Sequence, residues 1–317
     1  MRALAAYIMR GPLQAMLVTA ALALFSLIPV LSVISVLSGG ALALVTLRHG
    51  LRQGLVVMLG AGVITGAFMY FIFGTMELGL VYTVLLWLPV LLLAVVLRGT
   101  ASWSMLIDVA VALGLIGIVA FYLATGDPVQ FWQHVLSRMV QLMASQGGGV
   151  PEMDVIQQQL PVFARWLTGM LAGGVIMGLI LSLTVGRWWQ ALLYNPGGFK
   201  EEFFALRQSR ISSIVVMVIL GLSLAGRAQV SNMAGDMMIV IVMVYSLAGL
   251  ALVHAVVASR GMHVAWLVVL YIFLFILPPQ IMMLLASVGF VDSWVNLRGR
   301  LASVKKQKTD DERHDNQ

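Results

Sequence analysis

The sequence predicts an all-α fold, a polytopic transmembrane helical bundle of about 8–10 spans. The chain has 317 residues, of which 61% are hydrophobic and 10% are charged, whereas a soluble domain is about 25% charged. Its apolar residues fall into runs of roughly 20, the length that crosses the hydrocarbon core of a bilayer. These runs lack the alternation of a transmembrane barrel strand. Helices are therefore predicted, because a helix satisfies its own backbone hydrogen bonds in lipid.

Proline residues interrupt the two longest apolar runs. The run 13–47 is too long for one crossing, and Pro29 is its natural break, because proline removes a helix hydrogen bond. Pro278 and Pro279 interrupt the run 263–297. Each of these runs is therefore one kinked helix or a pair of shorter helices. In chain order, the predicted spans are 13–29, 31–47, 54–73, 79–97, 104–125, 162–186, 211–226, 235–258, 263–277 and 279–297.

Positive charge orients the bundle. With a cytoplasmic N-terminus, all but three of the 19 basic residues lie in inner loops or tails, as the positive-inside rule predicts. The exceptions are Arg138, Arg165 and Arg227. A single helix over 263–297 would export the basic tail, so an even number of crossings is favoured, with both termini in the cytoplasm. The expected location is the bacterial cell inner membrane, as a multi-pass protein.

The helical domain is predicted to occupy residues 1–300. A disordered cytoplasmic tail, 301–317, follows it and is almost free of apolar residues. Residues 21–23 resemble a signal-peptidase site, but apolar sequence continues beyond them, so we expect the first helix to be retained. The net charge of +6 is explained by topology and by anionic lipid headgroups. The expected partner is the lipid bilayer, and no nucleic acid is expected.

The predicted outer loop, 126–161, is long enough to form structure. Apolar residues recur at helical spacing over 132–143, with polar residues between them, a pattern typical of an amphipathic helix at the membrane surface. Residues 147–151 should end that helix, and a short polar helix is predicted over 152–160, before Pro161. The loop is either a connector on the membrane surface or a lid over an outward-facing pocket.

The inner loop, 187–210, carries a turn followed by a helix. Asn195-Pro196-Gly197-Gly198 is a turn sequence, because proline fixes one φ and glycine adopts positive φ. An amphipathic helix is predicted over 199–210, with Glu202 near its start and Arg207 near its end, as the helix dipole favours. Its aromatic face lies on the inner leaflet or docks a cytoplasmic partner. The predicted partner-contact residues are Asn195, Pro196, Gly197, Gly198, Phe199, Glu202, Phe203 and Arg207.

Polar residues gather at the predicted outer ends of several spans. Convergent polar groups in an otherwise apolar cavity are typical of a small-molecule site. The alternative is a solvated short loop in which Arg227 and Asp236 form a surface ion pair. The predicted ligand-binding residues, at the mouth of an outward-facing cavity, are Glu77, Arg227, Asn232, Asp236 and Gln280.

The sequence lacks the common catalytic and metal-binding motifs. It has no Gly-Lys dipeptide, and therefore no Walker A loop and no ATPase of its own. The five histidines are scattered and there is no cysteine, so no metal site and no cofactor are predicted. Gly235-Asp236 has no matching second aspartate for an intramembrane protease, and we expect no enzymatic activity. Asp108 and His254 are ionisable at membrane depth, and each is either functional or paired structurally with a neighbour.

Two stretches resemble a known family. They are Tyr-Asn-Pro-Gly-Gly-Phe-x-Glu-Glu-Phe-x-x-Leu-Arg at 194–207 and Gly-Phe-Val-Asp-Ser-Trp-Val-Asn-Leu-Arg at 289–298. Both resemble the YybS-like family of bacterial polytopic membrane proteins. That family is distantly similar to the substrate-binding subunits of energy-coupling-factor transporters, which bind a small molecule from outside and rely on separate membrane and ATPase subunits. The present chain has more predicted spans than those subunits usually have.

The resemblance implies a transport-type, substrate-binding membrane component that lacks its own ATPase and works with a membrane or ATPase partner subunit. The alternative is a non-transporting membrane scaffold that recruits cytoplasmic partners through the 187–210 loop and the C-terminal tail. Gly-x-x-x-Gly pairs at 62–66, 169–173 and 174–178 permit close helix packing within the chain or with a second copy. The sequence leaves the oligomeric state open.

Overall fold

The computed structural model describes residues 1–145, 153–225, 228–295 and 297 of the chain. Within these residues the regular secondary structure is helical, with no strand. A 3₁₀ segment spans Pro29–Ile34, and a π-helical segment spans Tyr82–Trp87. In chain order the α-helices are α1 Arg2–Ile8, α2 Pro12–Phe25, α3 Ser35–His49, α4 Leu51–Phe73, α5 Glu77–Val81, α6 Leu88–Thr100, α7 Trp103–Thr125, α8 Pro128–Ser145, α9 Met153–Tyr194, α10 Gly198–Phe204, α11 Arg210–Ala225, α12 Ala228–Ser259, α13 Ala265–Ile276 and α14 Pro278–Val295.

The helices confirm the predicted fold class, an all-α membrane bundle. Large apolar side chains lie on its surface, among them Phe275, which is 89% exposed, and lipid accommodates such side chains better than water does. Shorter apolar helices are Pro12–Phe25, Arg210–Leu224 and Ala265–Ile276. In the part of the chain that the structure describes, six stretches are long and apolar enough to cross a bilayer: Pro29–His49, Leu51–Phe73, Gly79–Thr100, Trp103–Thr125, Gln157–Tyr194 and Gln229–Ser259.

Both long apolar runs are divided into two helices. α2 ends at Phe25, and Pro29 begins the 3₁₀ segment that leads into α3. In the second run, Leu277 adopts φ −128° and ψ 56° between α13 and α14, and α14 begins at Pro278. Proline is tolerated in the first turn of a helix, because the N–H that it lacks has no intrahelical partner there. A pair of helices is therefore correct for both runs.

Two predicted helix boundaries are wrong. α9 continues through Pro161, where a break between a polar helix and a span was expected. Proline removes one hydrogen bond and introduces a steric clash, but the remaining bonds of this 42-residue helix hold it together. The inner helix, predicted over 199–210, ends at Phe204, and α11 begins at Arg210. The predicted helix end at 147–151 and the predicted disordered tail at 301–317 lie outside the described residues.

The first of two compact units, unit 1, is held together by close helix crossings. A Cβ built on Gly40 of α3 would lie 2.7 Å from the Val185 side chain, and one on Gly186 of α9 would lie 2.6 Å from Ala43. Small residues at such crossings let membrane helices pack backbone against backbone. Unit 1 comprises residues 1–110, 177–210 and 245–317.

Unit 2 comprises residues 111–176 and 211–244, which include α8, α11 and parts of α7, α9 and α12. The amphipathic outer helix α8 packs on spans of this unit. Trp132 of α8 donates a hydrogen bond from Nε1 to Thr168 Oγ1 at 2.9 Å, and its ring contacts that of Phe121 in α7. This docking fits either of the roles predicted for the outer loop, a connector or a lid.

Candidate functional site

Asp236 of α12 is the centre of a buried polar cluster in unit 2. Its carboxylate accepts a hydrogen bond from the Tyr122 hydroxyl at 2.7 Å and another from the Gly169 N–H at 3.2 Å. The Arg165 guanidinium lies 3.5 Å from the same carboxylate. Asp236 is 1% exposed, so these neighbours, rather than water, balance its charge. We call Tyr122, Arg165, Gly169 and Asp236 the Asp236 cluster.

The local sequence explains how three helices reach one carboxylate. Arg165 and Gly169 are one turn apart on α9 and therefore lie on the same face. A Cβ on Gly169 would lie 2.9 Å from the Asp236 Cα, so only glycine lets the α9 backbone approach α12 this closely. Tyr122, in the last turn of α7, supplies the third contact. The carboxylate thus ties α7 and α9 to α12.

The Asp236 cluster places opposite charges within membrane-spanning segments. All of its residues lie inside the candidate spans of α7, α9 and α12. Charged groups at membrane depth are costly, and they commonly mark functional sites. The Arg165 guanidinium also lies 5.5 Å from the centre of the Trp166 ring, which is cation–π geometry. Its Nη1 is buried and makes no hydrogen bond to the residues that the structure describes, so the guanidinium retains unused donor capacity.

A cavity of about 370 Å³ adjoins the Asp236 cluster in unit 2. Tyr122 lines the cavity and also donates to Asp236, so it connects the two. Gln229 lines it as well, and its Nε2 donates to the Gly126 carbonyl at 2.9 Å. We call this space the outer cavity, after its place on the predicted outer side. Its lining residues are Tyr122, Gly126, Asp127, Pro128, Val129, Gln229 and Asn232.

The structure brings together two of the predicted ligand-binding residues. Asn232 lines the outer cavity, and Asp236 lies one turn further along α12. Glu77 and Gln280 belong to unit 1, where both are exposed, and neither lines the outer cavity of unit 2. Arg227 lies outside the described residues. Of the predicted ligand-binding residues, those that lie at or beside the outer cavity are therefore the two in the first turns of α12.

The interpretation of Asp236 as part of a solvated surface pair is wrong, because Asp236 is buried and pairs with Arg165. Sequence reasoning missed Tyr122, Arg165 and Gly169 as its partners. Arg165 did carry a signal, since it is a basic residue on the predicted outer side within an apolar helix. Tyr122 carried none, because a tyrosine near a span end is typical of the membrane interface.

Two other ionisable residues at membrane depth lie in unit 1. His254 Nδ1 is 2.9 Å from the Leu250 carbonyl, and its Nε2 is 3.2 Å from the Tyr271 hydroxyl. These contacts fit a histidine that pairs α12 with α13. Asp108 is half-buried. Across the described ranges, no group of three or more histidine, aspartate and glutamate side chains is placed to hold a metal ion.

The predicted partner-contact segment makes polar and aromatic contacts within unit 1. Glu202 accepts hydrogen bonds from Arg187 Nε at 2.9 Å and from Trp103 Nε1 at 3.2 Å. The Phe199 ring packs edge-on against Trp103 and stacks on Phe203. The aromatic side chains of α10 therefore contact other residues of the same chain.

The turn before α10 is the exposed part of this segment. Gly197 has φ 93°, a left-handed conformation that favours glycine, as the turn sequence predicted. After α10, Arg207 donates hydrogen bonds to the carbonyls of Asp292 at 3.1 Å and Ser293 at 2.8 Å, which satisfies acceptors in the last turn of α14. The exposed turn residues are Asn195, Pro196 and Gly197.

The Arg187–Glu202 pair should make stability depend on pH. The hydrogen bond from Arg187 holds the pKa of Glu202 below its ordinary value of 4.5, although burial opposes this effect. Because the pKa is lower in the folded state, the pair contributes stability above the unfolded pKa, and that contribution is lost as the pH falls through the folded pKa. Melting temperatures of wild type and Glu202→Gln in detergent should therefore differ at pH 7, and the difference should shrink as the pH falls below the ordinary pKa of the carboxyl. A difference that stays constant down to pH 3 would contradict this expectation.

A comparison with known families identifies the chain at the level of a family. Residues 16–293 match the family described as predicted membrane protein (DUF2232). No curated protein and no solved structure matches the chain. The likeness to the YybS-like family and to energy-coupling-factor subunits stays a prediction. Because the match extends from α2 into α14, over most of the sequence, the chain belongs to the DUF2232 family of predicted membrane proteins.

Proposed function

We propose that the chain is a transport-type membrane component that binds a small polar solute in the outer cavity and has no ATPase of its own. The Asp236 cluster beside that cavity supports the proposal. Replacing a buried ion pair by apolar residues is often neutral or stabilising. A bundle that served only as an anchor would therefore need no such pair at membrane depth.

The size and charge of the outer cavity limit the solute. A volume of about 370 Å³ lies near the lower end of the range for small-molecule sites. Asp127 is the charged residue among those that line it, and in the adjacent cluster the charges of Arg165 and Asp236 cancel. The Asn232 amide offers both a donor and an acceptor. The solute in this proposal is therefore neutral or cationic and carries hydrogen-bonding groups.

Tyr122 couples the solute to helix packing in this proposal. A solute that accepts a hydrogen bond from the Tyr122 hydroxyl competes with Asp236 for the same proton. The contact between α7 and α12 then weakens. The equilibrium between the arrangement with this contact and the one without it shifts toward the arrangement that binds the solute more tightly. A separate membrane or ATPase subunit supplies the energy for movement. The chain itself is not an enzyme.

Substitution of Asn232 tests the proposal. Asn232→Leu removes the amide from the outer cavity and keeps a side chain of similar size, so the solute should be lost while the fold persists. Native mass spectrometry of protein released directly from membranes should show a bound small molecule on wild type and none on Asn232→Leu. Gln130→Leu is the matched control, because Gln130 is exposed near the same end of unit 2 and does not line the cavity.

Two results would count against solute binding. One is the absence of any small molecule from wild-type protein, together with no thermal shift across a panel of vitamins and metabolites. The other is equal retention of a small molecule by wild type, Asn232→Leu and Gln130→Leu.

The scaffold alternative makes the opposite prediction. It assigns function to the inner segment, whose exposed part is the turn at 195–197. Under that alternative, Pro196→Asp should abolish recovery of a cytoplasmic partner in pull-down, and Asn232→Leu should have no phenotype. Pro196 is a better probe than Phe203, because Phe203 packs against Phe199 and its replacement would disturb the fold as well.

A further inference from the structure

A second cavity lies in unit 1, at the start of α7 and α11. Its volume is about 540 Å³. The segment between α10 and α11, residues 205–209, forms one wall. We call it the inner cavity, after its place on the predicted cytoplasmic side. Its lining includes Ser102, Trp103, Glu202, Arg207, Gln208 and Arg210.

The charge of the inner cavity is positive. Arg207 and Arg210 both line it, against one carboxylate, that of Glu202. Both oxygens of that carboxylate accept hydrogen bonds from Arg187, so its charge is already compensated. The Nε and Nη2 of Arg207 donate hydrogen bonds to backbone carbonyls of α14. Arg210, in contrast, is exposed at the cavity wall.

Two long helices begin at this cavity. α7 starts at Trp103 with the Ser102 Oγ accepting a hydrogen bond from the Met105 N–H at 3.2 Å. α11 starts at Arg210, directly after Ser209. The first N–H groups of a helix have no intrahelical partner, and the helix dipole is positive there. The start of α7 therefore favours an anion in the inner cavity.

Gln208 is an independent sign that the inner cavity binds a polar ligand. It lines the inner cavity and is only 3% exposed. Its side-chain oxygen and nitrogen are both buried, and neither has a hydrogen-bond partner within the described residues. Buried polar groups are nearly always hydrogen-bonded, and an unsatisfied amide is costly. A ligand that accepts from Nε2 and donates to Oε1 would satisfy both atoms.

We propose that the inner cavity binds a protonated phosphate group, either of inorganic phosphate or of an anionic lipid headgroup. Phosphate oxygens accept from Arg210, from the amide of Gln208 and from the N–H groups at the start of α7, as arginine forks and helix N-termini do for phosphates elsewhere. A phosphate hydroxyl donates to Gln208 Oε1. This site is separate from the outer cavity and goes beyond the solute-binding function.

Two probes separate the two sources of phosphate. The full-length protein is purified and delipidated in a neutral detergent. Binding of inorganic phosphate is measured by equilibrium dialysis against potassium chloride of matched ionic strength. Binding of dioleoylphosphatidic acid, which carries the phosphate as a monoester, is measured by native mass spectrometry with dioleoylphosphatidylcholine as the competitor. Saturation by inorganic phosphate identifies the free ion, and saturation by the acidic lipid alone identifies a headgroup.

Three variants make the test specific to the inner cavity. Gln208→Met removes the amide at similar volume, and Arg210→Gln removes the charge. Each variant should lower the affinity for whichever probe binds saturably, by about tenfold or more. Lys200→Gln is the charge-matched control, because Lys200 is exposed on α10 outside the cavity lining, and it should bind like wild type.

Stability provides a second readout. Without a probe, Gln208→Met should melt at or above the wild-type temperature, because it removes an unsatisfied buried amide. Saturable binding that both cavity variants weaken and Lys200→Gln preserves would support the proposal. Absence of saturable binding of either probe would overturn it, as would equal binding by wild type and both cavity variants. A melting temperature of Gln208→Met below that of wild type without a probe would also count against it, since the amide would then have a partner already.

Discussion

Asp236→Leu is expected to lower the free energy of unfolding by about 3 kcal/mol. The substitution leaves the Arg165 guanidinium without its counter-charge and the Tyr122 hydroxyl without its acceptor. Breaking a buried pair costs about 3–5 kcal/mol, and the lower end applies because the Arg165 side chain is 28% exposed. Scanning fluorimetry and chemical unfolding in a mild detergent measure the change.

A double variant distinguishes an unpaired charge from lost packing. Arg165→Met together with Asp236→Leu removes both charges, so it should be more stable than Asp236→Leu alone. Tyr122→Phe deletes one hydrogen bond to the carboxylate and should cost about 1 kcal/mol. The losses of stability of Arg165→Met alone and Asp236→Leu alone are added and compared with the loss of the double variant. If the two amounts are equal, Arg165 and Asp236 are not coupled, and the Asp236 cluster does not act as a unit.

Gly249→Leu is expected to destabilise the bundle by about 3 kcal/mol, the upper end of the usual cost of overpacking. A Cβ on Gly249 of α12 would overlap the Leu285 carbonyl of α14, and one on Gly289 of α14 would lie 2.7 Å from the Tyr245 carbonyl. The obstacle in both cases is backbone, which cannot rotate away as a side chain can. α12 and α14 must therefore separate. The fraction of protein that elutes as a single species in size-exclusion chromatography, with its melting temperature, measures the effect.

Gly178→Leu is the matched control for this crossing. Gly178 lies in the spanning helix α9 within the same unit, and a Cβ there would meet nothing within 4 Å. Its replacement should change stability by less than about 0.5 kcal/mol. Equal losses for Gly178→Leu and Gly249→Leu would show that leucine in a span is harmful in itself, and the crossing would then not explain the loss.

Much of the fold follows from hydropathy and proline positions. Apolar runs long enough to cross lipid must be helical, and Pro29 and Pro278 start new helices where the long runs divide. The end of α10 could not be predicted, because Phe199, Phe203 and Leu206 keep a helical spacing beyond Phe204. Beyond Phe204 the Arg207 side chain is hydrogen-bonded to α14, a tertiary contact that helical spacing does not report.

Less of the candidate site follows from the sequence. Asn232 and Asp236 can be predicted as site residues because polar residues at the start of an apolar span are conspicuous. Their partners on α7 and α9 depend on which helices pack together. The hydropathy pattern does not predict which helices are neighbours. The sequence places Glu77 and Gln280 on the same predicted side of the membrane as Asn232. Being on the same side does not bring side chains into contact.

Single-cysteine labelling tests the central claim most directly, which is that the chain threads the membrane with the outer cavity facing outward and the inner cavity facing the cytoplasm. The chain has no cysteine, so Asn232→Cys and Ala205→Cys each report one position. With a membrane-impermeant maleimide, we expect Asn232→Cys to be labelled in intact cells, and Ala205→Cys only after the membrane is permeabilised. Labelling of Ala205→Cys in intact cells, with Asn232→Cys protected until permeabilisation, would contradict this threading and the outward-facing solute site.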